Sequence, residues 1–127
     1  MKTSKKLAIY MDHLVANLIE YTNSAVQFNI IESNFHHQEK EAVLQKGESH
    51  MHNKEQHLQN KYYEKLGDEI LHFDQVVLFG PTNAKTELYN IINNDNRFSK
   101  IKIKVENSDK LTQNQQIAFA NICFTDI

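Results

Sequence analysis

The side chains best suited to chemistry crowd into one span of the chain. His36, His37, His50, His52 and His57 all fall between residues 36 and 57, and neutral imidazole is a common metal ligand. His50 and His52 stand two apart, which matches no standard structural zinc spacing, and no cysteine lies near them. The pattern fits a solvated polar loop, or one that pairs with RNA when ordered, better than a metal centre. Ser49 beside His50 is simple adjacency and not a nucleophile elbow. A second group is the Phe79-Gly80-Pro81-Thr82-Asn83-Ala84-Lys85 corner. A helix N-terminus offers unpaired backbone N–H groups to a phosphate, with Thr82 and Asn83 adding hydrogen bonds and Lys85 a charge. The same residues also make a plain strand-to-helix turn, in which Thr82 or Asn83 caps the helix. The P-loop spacing is missing.

Carboxylates form a third group. Asp12 on the first strand, with Glu55 or Glu64 on a helix, stands where two-metal nucleases hold their ions. The strand Val76–Phe79 brings no carboxylate to complete that set, so Asp12 is read as a turn residue. Lysines make up the fourth. Lys100, Lys102 and Lys104, near Arg97, alternate along a strand, where they either track phosphates or guard an exposed sheet edge against pairing; the edge reading is preferred. Lys40, Lys46 and Lys54 are interspersed with Glu39, Glu41, Glu48 and Glu55, which reads as a charged solvated segment with local basic contacts.

Positioning these groups falls to one domain of 127 residues, 40% hydrophobic and 24% charged. Both fractions are ordinary for a soluble protein. A net charge of −2 gives no general pull on nucleic acid, so any RNA contact must come from a local patch. The single cysteine, Cys123, excludes an internal disulfide and a CxxC site and reads as core. No apolar run reaches the roughly 20 residues needed to span a bilayer, and the basic start lacks a cleavage site. A cytoplasmic protein without a membrane segment is expected.

Hydrophobic periodicity supplies the elements. Residues 6–11 and 14–21 alternate around the polar turn at Asp12-His13, and residues 25–31 follow a second turn, giving an antiparallel meander of three strands. Residues 32–53 interrupt the pattern as a long polar loop, expected to be functional or mobile in isolation. From Lys54, Tyr62, Leu66, Ile70 and Phe73 recur at helical spacing, and the Tyr62-Tyr63 pair, itself at helical spacing from Leu66, reads mostly as core with Tyr63 as its exposed, outward member. Val76-Val77-Leu78-Phe79 reads as a strand buried on both faces. A short helix carries Leu88, Ile91 and Ile92. Ile101, Ile103 and Val105 then alternate with lysines as a fifth strand, and Thr112 caps a last helix.

The order, three antiparallel strands and then α-β-α-β-α, predicts an α/β fold of ribonuclease H-like topology, a mixed five-stranded sheet with helices packed on it. Several unrelated activities use that arrangement. Four stretches carry a more specific resemblance: YMDH at 10–13, KEQHLQNKYYEKLGDEI at 54–70, VVLFGPTNAKTEL at 76–88 and DKLTQNQQIA at 109–118. In order and spacing they resemble the middle domain of eukaryotic and archaeal class I peptide-chain release factors and of Pelota-type ribosome-rescue factors. In particular they look like its small bacterial relatives, sometimes labelled translational machinery or host-attachment proteins.

In release factors the loop before the long helix carries Gly-Gly-Gln, which positions a water for peptide release. Here that stretch reads LQKGESHMHNKEQ, with Gly47 alone. The resemblance therefore implies a partner, the ribosome or a structured RNA, without implying catalysis or a cofactor, and codon reading is not expected from one domain. The residues it singles out for contact are Lys46, Gly47, His50, His52 and Lys54, with Thr82, Asn83 and Lys85 as a secondary phosphate contact. Two rivals stay open. One is a metal-dependent hydrolase or nuclease using the histidines or Asp12; the other is a partner-binding module that self-associates through an edge strand such as 100–105.

Overall fold

A computed structural model describes residues 5–21, 26–32 and 48–125, with backbone only for 48–58 and 125. The elements are β1 (Lys6–Met11), β2 (Val15–Tyr21), β3 (Val26–Glu32), α1 (Glu48–Ile70), β4 (Gln75–Gly80), α2 (Ala84–Asn93), a 3-10 turn at Asn96–Phe98, β5 (Lys102–Asn107) and α3 (Gln113–Thr125). The strands form one sheet in the order β3-β2-β1-β4-β5. β2 pairs antiparallel with both β1 and β3, whereas β4 runs parallel to β1 and to β5. This is the mixed five-stranded, ribonuclease H-like α/β arrangement that the element order predicts.

Both central strands are buried on both faces, which is why β4 reads as an uninterrupted apolar run. Val76 and Leu78 join Leu7, Ile9 and Met11 on the face covered by α1 and α2, where Tyr62, Leu66, Ile70, Leu88 and Ile92 pack. Val77 and Phe79 turn the other way with Ala8 and Ile19, and there Ala120, Cys123 and Phe124 of α3 close the second core. Tyr62, Leu66 and Ile70 are fully buried at the spacing expected of one helical stripe. Cys123 is buried in this second core, as its apolar surroundings predict.

Two local devices fix the helix starts and strand ends. At α3 the Gln115 amide donates to Thr112 Oγ1 at 3.3 Å while Gln115 Oε1 accepts from the Thr112 amide at 2.9 Å. This is a reciprocal capping box that satisfies two otherwise orphaned donors. At the end of β4, Gly80 has φ 150°, and a Cβ there would sit 2.2 Å from the Met11 carbonyl oxygen. Only glycine lets β4 finish that close to β1.

Three expectations need correction. Residues 48–53 are helix rather than loop, so the polar loop expected over 32–53 does not extend that far; its remainder, 33–47, lies outside the described residues. Tyr63 does not point outward. It is 4% exposed and packs in the first core beside Tyr62. Lys100 precedes β5 instead of standing on it.

Candidate functional site

The polar groups that the fold gathers stand at the carboxyl ends of the parallel strands β1 and β4. In open α/β sheets this is where ligands are commonly bound. Asp12 follows β1, and its Oδ1 accepts from the amides of Leu14 and Val15 at 2.7 and 2.9 Å. The carboxylate thus closes the β1–β2 turn, the role the sequence predicts for it. Tyr62 reaches from α1 to donate to the Asp12 carbonyl at 2.9 Å. Burial, reinforced by the Asp12 charge, pushes its phenol well above the ordinary range.

Beside this lies a hydrogen-bonded chain of three side chains. Tyr63 donates to Glu87 Oε1 at 2.7 Å, and Glu87 Oε2 meets His13 Nε2 at 3.1 Å. The Tyr63 bond is the main reason the Glu87 carboxyl titrates below its ordinary value; partial burial opposes this and His13 adds to it. The same carboxylate, after burial itself, raises the Tyr63 phenol. A phenol held protonated is a poor nucleophile and a poor general acid near neutral pH. The chain's evident work is mechanical: it ties α1, α2 and the β1–β2 turn together around the strand ends.

The residues expected to contact phosphate are built differently from a phosphate cradle. Asn83 is the N-cap of α2 but makes no side-chain cap bond. Thr82 Oγ1 accepts from the Ala84 amide at 3.3 Å. Lys85 is only 2% exposed, and its Nζ donates back to the Thr82 carbonyl at 2.5 Å. Desolvation lowers its pKa. The lysine expected to offer a charge at this corner is turned inward, so the arrangement is the strand-to-helix turn, with Thr82 and Asn83 left facing outward.

Of the residues expected to contact a ribosome or RNA, Lys46 and Gly47 lie outside the described residues. His50, His52 and Lys54 lie on the first turns of α1. Tyr62 is level with the end of β1, and the 14 helical residues before it (48–61) carry α1 roughly 21 Å past that level, at about 1.5 Å per residue. His50, His52 and Lys54 therefore lie on the N-terminal arm of α1, about 12 Å or more along the helix before Tyr62 at about 1.5 Å per residue.

Two further charged pairs are local. Arg97 grips Asp95 through both Nε and a terminal nitrogen, at 2.8 to 3.2 Å, and Lys104 approaches Glu106 at 3.4 Å. β5 is an edge strand, as the lysine alternation predicts. Among the described residues, no group of three His, Cys, Asp or Glu side chains converges as a metal site, and no helix is long and apolar enough to cross a membrane. A cavity of about 320 Å³ opens between α1 and α2, lined in part by Tyr63, Gly67, Ile92 and Phe98; it lies beside the strand-end corner rather than in it.

Sequence reasoning missed the three-residue chain. His13 was legible only as part of a polar turn, Tyr63 as the exposed member of a tyrosine pair, and nothing in the sequence singled out Glu87. No short-range spacing links them.

Solved structures share this fold. Pelota from Archaeoglobus fulgidus superposes on 98% of the chain with a TM-score of 0.63 at 8% sequence identity. Pelota from Thermoplasma acidophilum covers 93% with a TM-score of 0.58 at 12% identity. The archaeal translation termination factor aRF1 covers 97% with a TM-score of 0.62 at 14% identity. The chain spans about a third of the length of each, 33%, 32% and 35% respectively. At such identities the likeness is one of fold. No family model matches the chain, and no curated protein matches it in sequence.

Proposed function

We propose that this chain is a relative of the release-factor and Pelota middle domain that acts without catalysis, as a cytoplasmic factor contacting the ribosome or a structured RNA. The observation that carries the reading is the fold match. Nearly the whole chain superposes on part of two Pelota proteins and of a translation termination factor. Two further features support it. Gly-Gly-Gln is absent from the stretch before α1, which argues against peptide release. The Asp12 carboxylate is committed to its turn, which argues against a nuclease centre built on it.

In this reading the α1 arm is the contact element. Lys46 and Gly47 precede it, and His50, His52 and Lys54 lie on its first turns, an imidazole-rich segment whose two lysines would supply local phosphate contacts among the glutamates around them. Thr82 and Asn83 form a secondary contact at the start of α2, while Lys85 supports that corner from inside.

Co-sedimentation with ribosomes across a salt series tests the proposal. Wild-type protein should travel with ribosomes at low salt and be released as salt rises, because phosphate contacts displace counterions. The Lys46→Glu/Lys54→Glu variant should lose at least about tenfold in affinity and show a shallower salt slope. Wild-type protein that stays at the top of the gradient at low salt would overturn the reading.

A further inference from the structure

β3 ends the strand order, so among the described residues a strand pairs with it on one side only. Val26, Phe28 and Ile30 are 45%, 41% and 65% exposed. They stand opposite Tyr21, Ile19 and Asn17 of β2, which places them on the sheet face that α3 covers. Ile19 and Tyr21 lie in the core beneath α3, whereas the next row outward, on β3, lies open. A cavity of about 250 Å³ lined by Asn17, Phe28, Asn29, Ile30, Gln113 and Gln116 separates that row from the start of the helix. Exposed edge strands are normally blunted with lysine, proline or a bulge. β3 reads VQFNIIE and carries neither lysine nor proline.

We infer that β3 is the two-fold interface of a homodimer, pairing antiparallel with β3 of a second copy so that two five-stranded sheets become one. The occupant follows from the strand's self-complementarity. With Phe28 on the axis, Val26 stands opposite the partner's Ile30, Phe28 opposite the partner's Phe28, and Ile30 opposite the partner's Val26. Directly opposed side chains share a face in an antiparallel pair, so all three apolar pairs fall on the α3 side. The other face sets Gln27 against the partner's Asn29, two amides able to bond each other. Charge is compatible too. No ionisable residue lies between Val26 and Ile31, and nearby Glu20 is already bonded by the Asn29 amide.

A second copy also closes the geometry. Isologous pairing at β3 leaves both β5 edges outward, whereas β3-to-β5 pairing would grow an open filament and set Lys102 and Lys104 against an apolar row. Seven residues of edge and the adjoining end of α3 bury an area near the lower bound for specific interfaces, about 1,200 Å² in total. Interfaces at that low end are mostly weak and transient, so a dissociation constant of roughly micromolar order is expected. The dimer does not depend on the ribosome-contact reading, since it is argued from β3 alone.

Sedimentation velocity of the full chain over the micromolar range tests the inference. Wild-type protein should pass from monomer to dimer with concentration. Ile30→Lys, at a site already two-thirds exposed, should keep its far-UV circular dichroism yet raise the dissociation constant at least about tenfold, because each dimer buries two new charges. Under oxidation, Phe28→Cys should form a cross-linked dimer, while Asn29→Cys and wild type, whose Cys123 is buried, should not. A wild-type monomer throughout would overturn the proposal. So would a dimer that survives Ile30→Lys, or cross-linking at Asn29→Cys in preference to Phe28→Cys.

Discussion

The sheet ends in two edges built on opposite rules. β5 alternates lysines with apolar residues, and its Ile103 and Val105 pack against the first core while Lys104 reaches Glu106. β3 alternates apolar residues with amides and leaves its apolar row open. Lysines on an edge make pairing costly, because an incoming strand would have to desolvate them. A strand with none imposes no such cost. One edge is closed by charge and the other is left able to pair, and between them β1 and β4 hold the fold itself.

That division can be broken from the centre outward. Gly80→Val strikes the β1–β4 seam, where a side chain would meet the Met11 carbonyl and the backbone angle disfavours any Cβ. It should cost about 3 kcal/mol or more and leave little folded protein in urea titrations. A variant as stable as wild type would mean that β4 does not need its close approach to β1. Lys102→Val/Lys104→Val erases the contrast between the edges. Monomer stability should change by less than about 1 kcal/mol, but light scattering should show species larger than dimers, since both edges can then pair. Unchanged scattering would remove charge as the reason β5 stays unpaired.

The smallest effect belongs to the strand-end corner. Tyr63→Phe removes one hydrogen bond to Glu87 and should cost about 1 kcal/mol. Its clearer signature is in acid. Glu87 has a folded-state pKa below the ordinary 4.5, so its contribution is complete above that value and is lost as pH falls through the lowered one. Tyr63→Phe should therefore flatten the loss of stability below pH 4.5, a difference readable from denaturant midpoints at pH 3 to 7. Parallel wild-type and variant curves would show that Tyr63 does not hold the Glu87 proton off.

Much of this fold was legible because periodicity reports burial directly. Val76–Phe79 is apolar throughout because β4 is covered on both faces, and Tyr62, Leu66 and Ile70 recur because α1 buries one stripe. The start of α1 was not legible: Glu48 to Lys54 holds a single apolar residue, so nothing in its spacing announces a helix. Lys85 reads as an exposed cation next to a cap, yet its long stem lets it lie in the interior and return its ammonium to the backbone. Tyr63 stands three residues before Leu66 and seven before Ile70, at the margin of the same buried stripe, and what its spacing does not show is that Glu87, distant in sequence, gives its hydroxyl a partner. Long-range polar bonds of that kind leave no periodic trace. The likeness to release factors was carried by motif order along the chain, and the matching fold of Pelota and aRF1 is consistent with it.

The central claim, contact with the ribosome or structured RNA through the α1 arm, is tested most directly by titrating purified ribosomes into labelled wild-type protein at low and physiological salt. The account predicts saturable binding at low salt that weakens steeply as salt rises. Absence of binding at low salt, or binding indifferent to salt, would contradict it.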